Sequence, residues 1–126
     1  MSELAFTSAV QLAELIAQKA ISPVELVESA LERIAQSQPS LNAFITVCAE
    51  EARAAAWEAE AAVMLGDPLG PLHGVPFAVK DLVNTAGVRT TFGSVALADN
   101  VPEADSPSVR KPFHEPETCA SEAPVL

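Results

Sequence analysis

Apolar residues recur at helical spacing from the start of the chain. Ala9, Leu12, Ala13 and Ile16 stand at i, i+3, i+4 and i+7 behind Thr7 or Ser8, either of which can cap a helix. A second run is punctuated more sharply. Ser22-Pro23-Val24-Glu25 is a capping box with proline in the first turn, and Ile21 is placed to staple onto Leu26. Val27, Ala30, Leu31 and Ile34 form the predicted buried stripe, Glu25, Glu28, Glu32 and Arg33 fall off it, and Pro39 is expected to end the run. The pair predicts two antiparallel helices.

Beyond the break the period shortens. Phe44-Ile45-Thr46-Val47 is a β-branched run that predicts a strand, and the Ala- and Glu-rich stretch from Ala49 to Leu65 predicts a third helix stopped by Gly66. Gly and Pro crowd the segment from Gly66 to Gly74, which predicts a loop. Val75-Pro76-Phe77-Ala78-Val79-Lys80-Asp81 then predicts an apolar strand, with its proline near the beginning where a missing N–H is tolerated. From Asp99 onward prolines and acids alternate. Ser106-Pro107-Ser108-Val109-Arg110 announces another helix that Pro112 and Pro116 abort. Residues 111–126 carry few large apolar side chains and are expected to be disordered.

Composition narrows the functional classes. With 126 residues, 49% of them hydrophobic and 19% charged, the chain suits a single core. A formal net charge of −10 repels polyphosphate, so no direct nucleic-acid partner is expected. There is no basic leader ahead of an apolar stretch and no apolar run approaching about 20 residues, so no membrane partner and a cytoplasmic location are expected. Cys48 and Cys119 lie far apart without zinc-type spacing, so they read as reduced thiols and no metal is expected.

Lys80 is the outstanding candidate for chemistry. A lysine leaving the carboxyl edge of a buried strand can be desolvated, which favours its neutral form and equips it as a general base. The competing reading is a surface lysine paired with Asp81. His73 stands in a loop without a positioned Cys, Ser or carboxylate and reads as polar surface; His114 falls in the tail. Cys48 reads as a small packed hydrophobe. Gly87, Gly93, Thr90 and Thr91 read as shaping a turn near the lysine, or as lining a pocket beside it.

The segment from Gly70 to Asp81, read together with Ala86-Gly87-Val88-Arg89-Thr90-Thr91-Phe92-Gly93-Ser94, resembles the amidase signature family. In those enzymes a P-L-x-G-I/V-P-x-x-V/I-K-D strand supplies the lysine of a Ser–cisSer–Lys triad, and a T-T-x-G-S turn follows closely. The S-P-V-E-L-V-E-x-A-L-x-R-I helix and the L-N-A-F-I segment are similar to that family's start, and the likeness runs from about Ala5 to Arg110. The resemblance implies that Lys80 takes a proton through a bridging serine while a second serine attacks an amide carbonyl. It also implies no metal or organic cofactor. The G-G-S-S-G-G type segment that carries both serines does not occur here, and Ser94, Ser106 and Ser108 lack its glycine context.

These readings predict an α/β chain: the N-terminal portion, residues 1–110, of an amidase-signature α/β/α fold, with helices packed on an incomplete mixed sheet. The break at Lys111 points to a frameshift or premature stop behind an aberrant tail, with a native short product as the alternative. The parent enzyme would hydrolyse a small-molecule amide, or would be the related amidotransferase subunit that releases ammonia from glutamine. A non-catalytic interaction fragment, docking on a complementary chain through its open sheet edge, is the competing function. Unpaired edges also predict marginal stability and self-association in isolation; a cooperative thermal transition for a soluble monomer would contradict that.

Overall fold

The computed structural model describes residues 4–109 and Leu126. A short 3-10 turn at Leu4–Phe6 leads into α1 (Ala9–Ala17), α2 (Pro23–Leu41) and α3 (Ala49–Leu65). Turns and extended backbone follow, with a second 3-10 turn at Val95–Leu97. The first two helix starts obey the sequence closely. Ser8 accepts the Gln11 N–H and Gln11 reaches back to the Ser8 backbone, while Ser22 and Glu25 form the same reciprocal box at the head of α2. Ser22 Oγ also donates to Glu60 Oε1 at 2.5 Å, tying the start of α2 to the end of α3.

That bond and the Glu28–Arg53 ion pair, at 2.6 Å, show α2 and α3 to be antiparallel, because residue numbers rise on one helix as they fall on the other. Their contact is built from small against large. Ala52, Ala56 and Ala59 on α3 are fully buried, and without longer side chains they let α2 approach with Val27, Leu31 and Ile34. A second cluster joins Leu12 and Ile16 of α1 to Leu26, Val63 and Val75. The predicted stripes therefore hold, except that Ala9 is exposed at the end of its helix.

Pro39 does not end α2, which continues to Leu41. Near a C-terminus the missing proline N–H removes one bond only. Ser37 and Ser40 hydroxyls donate to the carbonyls of Ile34 and Ser37, and the Asn42 N–H closes the last turn on Gln38 from a left-handed conformation.

Neither expected strand forms among the described residues. At Phe44 the reason is local: the Gln38 side chain donates to the Phe44 carbonyl at 2.7 Å and accepts the Phe44 N–H at 3.1 Å. A side-chain amide thus occupies the edge a neighbouring strand would need. Over residues 75–81 the chain is extended, but its carbonyls serve turns. Lys80 accepts from Val83, Asp81 from Phe92, and Phe77 accepts the Leu126 N–H at 3.0 Å. The sheet of the expected α/β architecture is therefore absent from the described residues; β-branched sequence without a second strand yields extended backbone, not a ladder. The expected helix at Ser106 is helical over residues 107–109, where the described stretch stops; Arg110, the aborting prolines and the tail from 111 onward, except Leu126, lie outside the described residues, as do His114 and Cys119.

Candidate functional site

The approach to Lys80 is fixed from beneath by Gly74 and His73. Gly74 adopts φ +73°, and a Cβ there would lie 2.9 Å from Pro23 Cγ. Only glycine lets the loop pass so close to the head of α2. His73 is not polar surface, as its loop setting suggested. It is 3% exposed, and Nε2 lies 2.8 Å from the Ala59 carbonyl of α3. The ring is a buried post that anchors residues 70–74 to the helical layer. Val75 packs into the core beside it, and the backbone then runs outward to Lys80.

Lys80 itself is exposed, so within this chain it lacks the desolvation expected of a buried strand end. It is not the partner of Asp81 either: the ion pairs among the described residues are those of Arg53 with Glu28 and Glu50. Asp81 turns instead to the segment after it. Its carboxylate accepts the Thr91 N–H at 2.8 Å and a short bond from the Thr91 hydroxyl, whose oxygen in turn accepts the Gly93 N–H at 3.2 Å. The Thr91 hydroxyl, then the Thr91 amide, hold the Asp81 carboxyl below the usual carboxylate range, helped by Arg89 nearby.

This clasp folds the T-T-x-G-S turn back against the lysine. Phe92 donates its N–H to the Asp81 carbonyl and sits at φ +54°, a left-handed conformation rare for an aromatic residue, and Gly93 follows at φ +68°. Thr91 therefore shapes the turn as expected, while Thr90 and Gly93 also line a cleft of about 590 Å³ together with Lys80, Phe44 and Cys48. A second strap holds the base of the turn: Thr90 and Asn100 exchange bonds at 2.9 Å, and Asn84 pairs with the Ser106 backbone and hydroxyl. Ser106 Oγ accepts the Asn84 N–H, a structural duty.

Cys48 lines the cleft but is buried, and burial, followed by the charge of Glu51, pushes its thiol up. It is a packed hydrophobe, as expected, and a poor nucleophile. The residues whose roles sequence reasoning missed are Asp81, whose local signal was only an acid beside a lysine, and Gln38, which gave no signal.

Comparison with known proteins places this arrangement. A match to the amidase family covers residues 25–113, from the head of α2 through the lysine segment and the clasped turn. The chain belongs to the amidase family. Over 111 residues this amidase-family chain is 44% identical to the A-type subunit of the glutamyl-tRNA(Gln) amidotransferase of Salinispora tropica, a stretch that is 88% of the chain and 23% of that protein. An acylamidase of Rhodococcus erythropolis is 39% identical over 98 residues, 78% of the chain and 20% of the relative. Among solved structures, a bacterial aryl acylamidase of the amidase signature family superimposes with a TM-score of 0.80 at 33% identity, over 96% of this chain and 24% of that one. The chain thus spans about a quarter or less of the amidases it matches. None of its described helices is long and apolar enough to cross a membrane.

Proposed function

We propose that this chain carries the general base of an amide-hydrolysing enzyme, Lys80, in a portion of the amidase-signature domain that is inactive by itself. The observation that supports the reading most directly is the coupling of Lys80 to the T-T-x-G-S turn through Asp81. One residue after the lysine, a carboxylate fastens the turn that the family resemblance sets beside it. The lysine would take a proton through a bridging serine, freeing a nucleophilic serine to attack the amide carbon, and the resulting acyl-enzyme would be hydrolysed. Both serines belong to the Gly/Ser-rich segment that this sequence lacks. No metal or organic cofactor takes part.

The missing portion would also complete the structure. Residues 75–81 are extended and poised as a strand, and in the parent domain we assign them to a mixed sheet covered by helices on both faces. Completion would bury Lys80, supplying the desolvation that a neutral amine requires. Residues 1–110 form the domain portion in this reading and 111–126 an aberrant tail. The substrate is a carboxylic amide; glutamine, as for the amidotransferase relatives, is the alternative. A second reading, an interaction fragment docking on a complementary chain, is favoured by the bridge at Phe77, which shows that edge able to accept a backbone donor.

Rejoining residues 1–110 to the downstream three-quarters or so of a related amidase tests the first reading. Amide hydrolysis should appear and should vanish on Lys80→Ala while the circular dichroism stays unchanged. Near-normal turnover in Lys80→Ala would remove the lysine from the mechanism. Co-purification of the present chain with a protein carrying the Gly/Ser-rich segment would instead select the docking function.

A further inference from the structure

One contact lies outside everything the amidase reading uses. Leu126 donates its backbone N–H to the Phe77 carbonyl at 3.0 Å, three residues before Lys80. Its side chain packs on the cluster of Val27, Leu31, Ile34, Ala52 and Ala56, as does that of Phe44 at the exit of α2. Leu126 also lines both the Lys80 cleft and a neighbouring groove of about 400 Å³ whose walls include Leu26, Ile34, Leu41 and Phe44. A main-chain bond to an extended edge, combined with an apolar side chain in a pocket one layer below, is the pattern by which an added strand is recognised.

We propose that the Phe77 edge and the apolar surface of α2 beside Phe44 form a strand-docking site, and that the chain's own Leu126 holds it. The groove suits a branched aliphatic residue: α2 contributes Leu26, Ala30, Ile34 and Leu41 to its walls, and those walls carry no acid. Leu126 thereby closes one side of the cleft in front of Lys80 and shields Cys48, which lines the same cleft. A strand arriving from another chain meets Leu126 at this edge and has to displace it. The docking stands on these contacts alone and holds whether or not Lys80 is a catalytic base.

The test uses the full 126-residue chain with Cys119→Ser, so that Cys48 is its one thiol. In the unsubstituted protein the Leu126 amide should exchange with solvent about fivefold or more slowly than in an unstructured peptide, at every protein concentration. Leu126→Asp should raise the rate of Cys48 alkylation several-fold while the helical circular dichroism stays constant; Leu126→Ala, milder in its effect on folding, should give an intermediate rate. Coil-like exchange at Leu126, or Cys48 rates unaltered in both variants, would overturn the docking. Protection that disappears on dilution would overturn it in another way, by assigning the groove to Leu126 of a second copy. If Leu126→Asp unfolds the helices, the exchange rate and the Leu126→Ala rate decide.

Discussion

Gly74→Ala isolates the contact that sets the height of the lysine loop above the helices. The alanine Cβ would lie 2.9 Å from Pro23 Cγ and 3.1 Å from Pro23 Cβ, with Ile16 Cδ1 at 3.4 Å on another side. Pro23 cannot swing away. Its ring is closed, fully buried, and fixed at the first turn of α2 behind the Ser22 cap. Two costs add. Holding an L-residue in the left-handed region costs about 1–2 kcal/mol, and forcing a methyl into a packed site about 1–3 kcal/mol. Reduced freedom of the unfolded chain returns about 0.4–1 kcal/mol. The net loss is about 2–4 kcal/mol.

Gly87→Ala is the matched control. Gly87 has nearly the same φ, +74°, but nothing lies within 4 Å of its virtual Cβ, so the conformational cost stands alone at about 1 kcal/mol or less. The assay is urea unfolding followed by helical circular dichroism, in an osmolyte such as trimethylamine N-oxide so that weak variants stay folded without denaturant. With a slope of about 1 kcal/mol per molar for a chain this small, the Gly74→Ala midpoint should fall about 1–3 M further than that of Gly87→Ala. Equal shifts in the two variants would show that Pro23 is not a wall and refute the packing argument.

His73→Ala removes the 2.8 Å bond to the Ala59 carbonyl and leaves a cavity under the loop, so the urea midpoint should drop by the equivalent of about 2–4 kcal/mol; a loss below about 0.5 kcal/mol would mean the imidazole is not a post. For Asp81 the sign follows from its lowered native pKa. The folded carboxylate binds its proton less readily than the unfolded one, so its contribution is complete above the ordinary carboxylate range and disappears as pH falls through the depressed native value. Urea midpoints taken from pH 6 down to about pH 3 should decline less steeply in Asp81→Asn than in the parent, and parallel curves would dissociate the clasp from stability.

Which parts of this chain could be read from its sequence depends on where each signal's partner lies. Helix caps are satisfied within four residues, so Thr7 or Ser8 signalled the first start and the Ser22-Glu25 box the second, and the buried stripe of α2 needed only its own period. Lys80 stood out as a candidate because an apolar run ends on it abruptly. Its neighbour did not, since the bonds of Asp81 reach ten residues ahead to Thr91, a distance at which an acid offers no sign of what will meet it. His73 misled for the same reason: its acceptor is a helix carbonyl fourteen residues back, and helical carbonyls carry no sequence signal. The strands failed differently. Phe44–Val47 and Val75–Asp81 have the right residues, but pairing is a property of two segments, and Gln38 and Leu126 hold the edges that a ladder would use. The extended backbone is thus encoded locally and the sheet is not. A second strand beside 75–81 would be needed to turn the one into the other.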